Sequence, residues 1–77
     1  MKSIHDPRYI ELINHLKQAR KAKKISQSEL AERLKIDRTN ITKIETLVRR
    51  LDFIELCDWL DALDCTLEDF LKEIGRL

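Results

Sequence analysis

Apolar residues recur at three- and four-residue steps along most of the chain, and no stretch alternates apolar with polar as a half-buried strand does. The first stripe is Tyr9, Leu12, Ile13, Leu16 and Ala19; Leu30, Ala31 and Leu34 follow, then Ile41 and Ile44. A fourth stripe runs Phe53, Leu56, Leu60 and Leu63, with Trp59 at its edge, and a fifth is Leu67, Phe70, Leu71 and Ile74. A single Gly and a single Pro leave little turn chemistry for β-hairpins. The pattern predicts a compact, all-α, five-helix fold.

Capping residues set the boundaries. Asp6-Pro7 starts the first helix, with Pro where its missing N–H costs nothing. Ser26-Gln27-Ser28-Glu29 reads as a capping box, opening a two-turn helix at about Gln27. Asp37 caps a third helix after the three-residue turn Lys35-Ile36-Asp37. Residues 46–51 read as a loop, and Asp52-Phe53-Ile54-Glu55 as a second capping box for a helix to about Leu63. Thr66 caps the last helix and Gly75 ends it. The expected organisation is one domain over residues 1–77: an arm at 1–6, a helix pair at about 27–45, and C-terminal helices at 53–77 available for dimerisation.

Composition narrows the classes. Leu, Ile, Val and Phe supply 24 of the 77 residues, too many for a disordered chain. No apolar run is long enough for a membrane span or a signal-peptide core, so the expectation is a cytoplasmic protein without membrane partners. The net charge of +1 hides a division: residues 1–50 sum to +7 and residues 51–77 to −6. Such asymmetry suggests a polyanion-facing half and a half that faces something else. Cys57 and Cys65 form no CxxC, and His5 and His15 stand at no zinc-finger spacing from them. No metal, no cofactor and no catalytic set is expected, and the two cysteines read as reduced thiols.

Two short helices joined by a three-residue turn, with the small Ala31 in the first, form a helix-turn-helix pattern. With Ile36 plugging the turn and Ile41 and Ile44 anchoring the second helix, Arg38, Thr39, Thr42 and Lys43 point away from the body. A helix presented in this way enters a DNA major groove with its first residues at the base edges. By spacing alone, a plain helical hairpin with a solvated outer face remains an alternative.

From about Ile13 to Phe70, three quarters of its length, the chain resembles the lambda-repressor-like (Cro or Xre) family of five-helix DNA-binding domains. The matching residues are Leu16, Arg20, Ser26-Gln27, Leu30-Ala31, Leu34, Ile36, Ile41, Ile44-Glu45, Leu56, Leu63 and Thr66-Leu67-Glu68. The resemblance implies that Arg38, Thr39 and Lys43 read bases and that Ser26, Gln27, Asn40, Thr42, Thr46, Arg49 and Arg50 hold the DNA backbone. It also implies an internal ion pair between Arg20 and Glu45. Two departures stand out. Where the family has Gly after the recognition-helix glutamate this chain has Thr46-Leu47, and the turn carries Lys35. Because non-Gly residues disfavour the left-handed conformation, the third helix is expected to run long. Leu60 replaces the family's small residue in the fourth helix.

The implied function is sequence-specific regulation of transcription on double-stranded DNA, by a repressor of phage, plasmid or bacterial type. A homodimer is expected, with Trp59, Phe70, Ile74 and Leu77 as candidate contacts, each of them equally readable as core and Phe70 better read so. An antitoxin-like autoregulator that binds a protein partner through its acidic half is the alternative. An adaptor without DNA binding is a third reading, opposed by Arg38, Lys43, Arg49 and Arg50.

Overall fold

The computed structural model describes residues 4–76. Five helices follow in order: α1 (Pro7–Ala22), α2 (Gln27–Leu34), α3 (Arg38–Glu45), α4 (Phe53–Ala62) and α5 (Leu67–Glu73), and there is no strand among the described residues. Each opens on a side-chain cap: Asp6, Ser26, Asp37, Asp52 and Thr66 accept from a backbone N–H of the first turn. The reciprocal half of the box is closed at Asp52–Glu55, where the Asp52 N–H donates to Glu55 Oε1 at 3.0 Å. At α2, Glu29 instead accepts from Arg33 at 2.7 Å, one turn on.

All five helices end in the same way. After each helix, one residue adopts positive φ: Lys24, Lys35, Leu47, Asp64 and Gly75. Its N–H bonds the carbonyl three residues back, and the next N–H bonds the carbonyl five back, as in Val48 to Lys43 at 2.8 Å and Ile36 to Ala31 at 3.0 Å. This is the Schellman closure, which satisfies carbonyls that the helix leaves open. Only Gly75 takes the conformation without a side-chain penalty. The expectation of a longer third helix is therefore corrected. Leu47 accepts φ 66°, and α3 stops at Glu45 with Thr46 as its C-cap.

One core collects Ile13 and Leu16 from α1, Ile25 from the first turn, Leu30 and Ala31 from α2, and Ile41 and Ile44 from α3. Leu51, Trp59, Leu60, Leu63 and Phe70 complete it. Ala31 lets α2 approach its neighbours, and α2 packs on both α3 and α4 while α1 packs on α3. The Cα radius of gyration is 11.8 Å, close to the roughly 11.5 Å of a well-packed chain of this length.

Three placements differ from the expected ones. Trp59 is only 1% exposed and sits inside the core with its indole Nε1 unpaired, not at an edge. Phe53, expected inside, is 61% exposed on the first turn of α4. Ile36, expected to plug the turn, is 41% exposed and lines a cleft of about 70 Å³ with Leu34, Ile44, Leu51, Glu55, Asp58 and Trp59. The first two share a cause: helix α4 carries apolar residues on most sides, so packing against α2 chooses its inward face.

Candidate nucleic-acid interface

The outward face of α3 is set by what its inward face buries. Ile41, Ile44 and Glu45 are buried, which leaves Arg38, Thr39, Thr42 and Lys43 exposed and Asn40 half-buried. Asp37 fixes the first turn: its Oδ1 accepts from the Thr39 N–H at 3.0 Å, and this bond holds the Asp37 carboxyl below its usual pKa. The α3 N-terminus is thus anchored by an ionised cap, with Arg38 and Thr39 as its first two residues.

A polar chain runs from the core to this face. Arg20 Nε and Nη2 donate to the two Glu45 oxygens at 2.8 and 2.9 Å, and Arg20 Nη1 donates to the Ile25 carbonyl at 2.7 Å. Glu45 Oε1 also accepts from Gln27 Nε2 at 2.9 Å, and Gln27 Oε1 accepts from the Thr42 hydroxyl at 2.9 Å. Four side chains from α1, α2 and α3 therefore share one network, bidentate at its buried end. It commits the Gln27 amide to protein partners. What Gln27 still presents at the start of α2 is its backbone N–H, one of the groups that a helix leaves open to an anion.

The remaining positions divide. Ser26 Oγ accepts from the Glu29 N–H at 3.0 Å as the α2 cap, and the Thr46 hydroxyl donates to the Thr42 carbonyl at 2.7 Å. Arg49, half-buried, pairs with Glu55; this bond raises the guanidinium pKa and lowers that of the carboxyl. Arg50 is exposed, its guanidinium 5.8 Å from the centre of the Tyr9 ring. Tyr9 in turn accepts the Leu51 N–H at 2.9 Å, which ties the loop after α3 to the first helix. Sequence reasoning missed both Tyr9 and Glu55. Loop anchoring across 42 residues leaves no local signal, whereas the Asp52-x-x-Glu55 spacing already placed Glu55 near a backbone N–H.

Of the expected dimer contacts, two are core residues. Trp59 and Phe70 are each 1% exposed and belong to the core; Ile74 is half-buried against it, and Leu77 lies outside the described residues. Among the described residues no His, Cys, Asp and Glu group is arranged to hold a metal, and Cys57 and Cys65 are free thiols. Burial raises the Cys65 pKa, keeping it a thiol at neutral pH. Among the described residues no helix is long and apolar enough to cross a membrane.

Two helices packed across a three-residue turn, the second presenting a polar and cationic face, define a helix-turn-helix protein. The helix-turn-helix family model matches residues 16–70, and the chain belongs to that family, the Cro and lambda-repressor type of DNA-binding regulator. A comparison with curated proteins gives no match.

Proposed function

We propose that the protein is a sequence-specific repressor that acts by occupying an operator as a homodimer. The observation that carries this reading is the face of α3: Arg38, Thr39 and Lys43 stand exposed on a helix whose other side is locked by Ile41, Ile44 and Glu45. In the proposed complex these three read base edges, with Arg38 suited to a guanine. In the same complex Ser26, Gln27 (through its N–H), Asn40, Thr42, Thr46, Arg49 and Arg50 are assigned to phosphates. One such module buries only about 600–1,000 Å² on DNA, so affinity useful in a cell calls for two copies on a two-fold site.

Selection of bound sequences from random DNA, followed by titration at several salt concentrations, tests the reading. Arg38→Ala is expected to cost about 1–3 kcal/mol on the selected site and to relax preference at one base position per half-site. Arg50→Ala is expected to weaken all sequences alike and to lower the magnitude of the salt slope by about one for each phosphate that it no longer neutralises. A wild type without sequence preference would end the repressor reading.

The second reading is an antitoxin-like autoregulator. It is favoured by the acidic surface of α4, α5 and their turn, where Asp58, Asp61, Asp64, Glu68, Asp69 and Glu73 are all exposed. Co-expression with a toxin-like product of a neighbouring gene, followed by purification of a stoichiometric complex, discriminates the two.

A further inference from the structure

Thr42 stands exposed on the outward face of α3, where its hydroxyl is the outer end of the polar chain that begins at Arg20. That chain fixes the sense of each bond as well as its place. Arg20 donates to both Glu45 oxygens, and a carboxylate held bidentately by a guanidinium accepts and has no proton to give. The end of Gln27 that lies 2.9 Å from Glu45 Oε1 must therefore be its amide nitrogen, which turns the Gln27 carbonyl oxygen toward Thr42. That oxygen, 2.9 Å from the Thr42 hydroxyl, can only accept, so the hydroxyl donates. A second acceptor near the same proton also belongs to the protein: the Arg38 carbonyl, at 3.4 Å.

A hydroxyl carries one proton and two acceptor lone pairs. With the proton turned toward Gln27, Thr42 shows an acceptor to whatever the helix meets. Family resemblance places Thr42 on a phosphate, but phosphate oxygens also accept, and Thr42 has no second proton to offer them. Its place on the helix points the same way. At about 100° per residue, Thr42 lies ~40° around the axis from Arg38 and ~60° from Thr39, between the first two residues of the reading face. In the major groove the hydrogen-bond donors are the exocyclic amines, N6 of adenine and N4 of cytosine.

We propose that Thr42 is a specificity-determining residue that accepts a hydrogen bond from the exocyclic amine of an adenine or a cytosine, its polarity set by Glu45 through Gln27. This rests on the DNA-binding reading above and moves Thr42 from the phosphate contacts to the base contacts. It also gives the buried Glu45 a part in sequence preference without any contact to the duplex. The carboxylate decides which end of Gln27 faces outward, and Gln27 decides which way the Thr42 proton turns.

Selection from random DNA with wild type and Thr42→Val tests it. The variant keeps the branched shape at an exposed position, so its circular dichroism is expected to match wild type. One position per half-site is expected to hold adenine or cytosine for wild type and to lose that preference in Thr42→Val, with the other positions unchanged. That base is then replaced by its analogue without the amine, purine for adenine or pyrimidin-2-one for cytosine. The exchange is expected to weaken wild type about two- to tenfold more than it weakens Thr42→Val, the worth of one hydrogen bond. Gln27→Met removes the acceptor of the Thr42 proton, and is expected to let thymine or guanine in at the same position. Equal weakening of all sequences by Thr42→Val would put the hydroxyl on a phosphate and overturn the proposal. So would equal losses of the two proteins on the analogue, or a preference that Gln27→Met leaves intact. In those cases the wild type still selects a site and the DNA-binding reading stands; a wild type that selects no sequence would remove both.

Discussion

Removing one partner of the Arg20–Glu45 pair is the sharpest perturbation of the fold. The side chains are 9% and 2% exposed, held by two hydrogen bonds, with Ile25 O and Gln27 Nε2 completing their shells. In Arg20→Met the Glu45 carboxylate stays buried with Gln27 as its remaining donor. In Glu45→Leu the guanidinium keeps the Ile25 carbonyl. Breaking a buried pair costs about 3–5 kcal/mol, against a total of about 4–12 kcal/mol for 77 residues, so either single variant approaches unfolding at 37 °C. The double variant Arg20→Met/Glu45→Leu removes both charges and leaves only neutral groups unpaired, at a cost of about 1–2 kcal/mol. Urea melts at 15 °C read all four corners of the cycle. Single variants within about 0.5 kcal/mol of wild type, or a double equal to the sum of the singles, would refute the reasoning.

Other consequences are cheaper to check. Lys24→Gly and Lys35→Gly, both at exposed left-handed positions, are each expected to stabilise by about 0.5–1 kcal/mol, a rise of roughly 3–6 °C in Tm by calorimetry. Asp52→Ala removes the α4 cap and its box, and is expected to cost about 0.5–2 kcal/mol in the same assay. Asp37 and Glu55 have folded pKa values below the ordinary carboxylate range, so their stabilisation is whole above the unfolded pKa of about 4 and is lost as pH falls through the lower folded values. An acid titration of Tm should therefore fall below about pH 4, and Asp37→Asn should flatten part of that fall.

The helix starts were legible in the sequence because capping is local chemistry: Asp6-Pro7, Asp52-Phe53-Ile54-Glu55 and Thr66 each carry their partner within three residues. The inward face of α4 was not. Phe53, Ile54, Leu56, Cys57, Trp59, Leu60, Ala62 and Leu63 are apolar almost all round, so periodicity does not choose between Trp59 and Phe53. A buried indole N–H usually finds a partner, yet α4 buries Trp59 with that group unpaired. Leu47 misled for another reason. With no Gly to mark it, the end of α3 shows only in the two hydrogen bonds from Leu47 and Val48 that close it. At the candidate site, the exposed residues of α3 follow from the Ile41–Ile44 spacing, and the Arg20–Glu45 contact was suggested by family resemblance alone. The links from Glu45 through Gln27 to Thr42 join residues 18 and 15 apart and need the packed fold to exist.

That polar chain makes the two helices of the motif a single part. With Gln27 bonded to Glu45 on one side and Thr42 on the other, α2 cannot tilt against α3 without breaking bonds that reach back to α1. The reading head is assembled before any duplex arrives, so the entropy of ordering it falls on folding and not on recognition. Inheritance feels the same coupling. A substitution at Arg20, on α1 and outside the motif, alters how the motif is held, so core and recognition cannot drift independently in this chain.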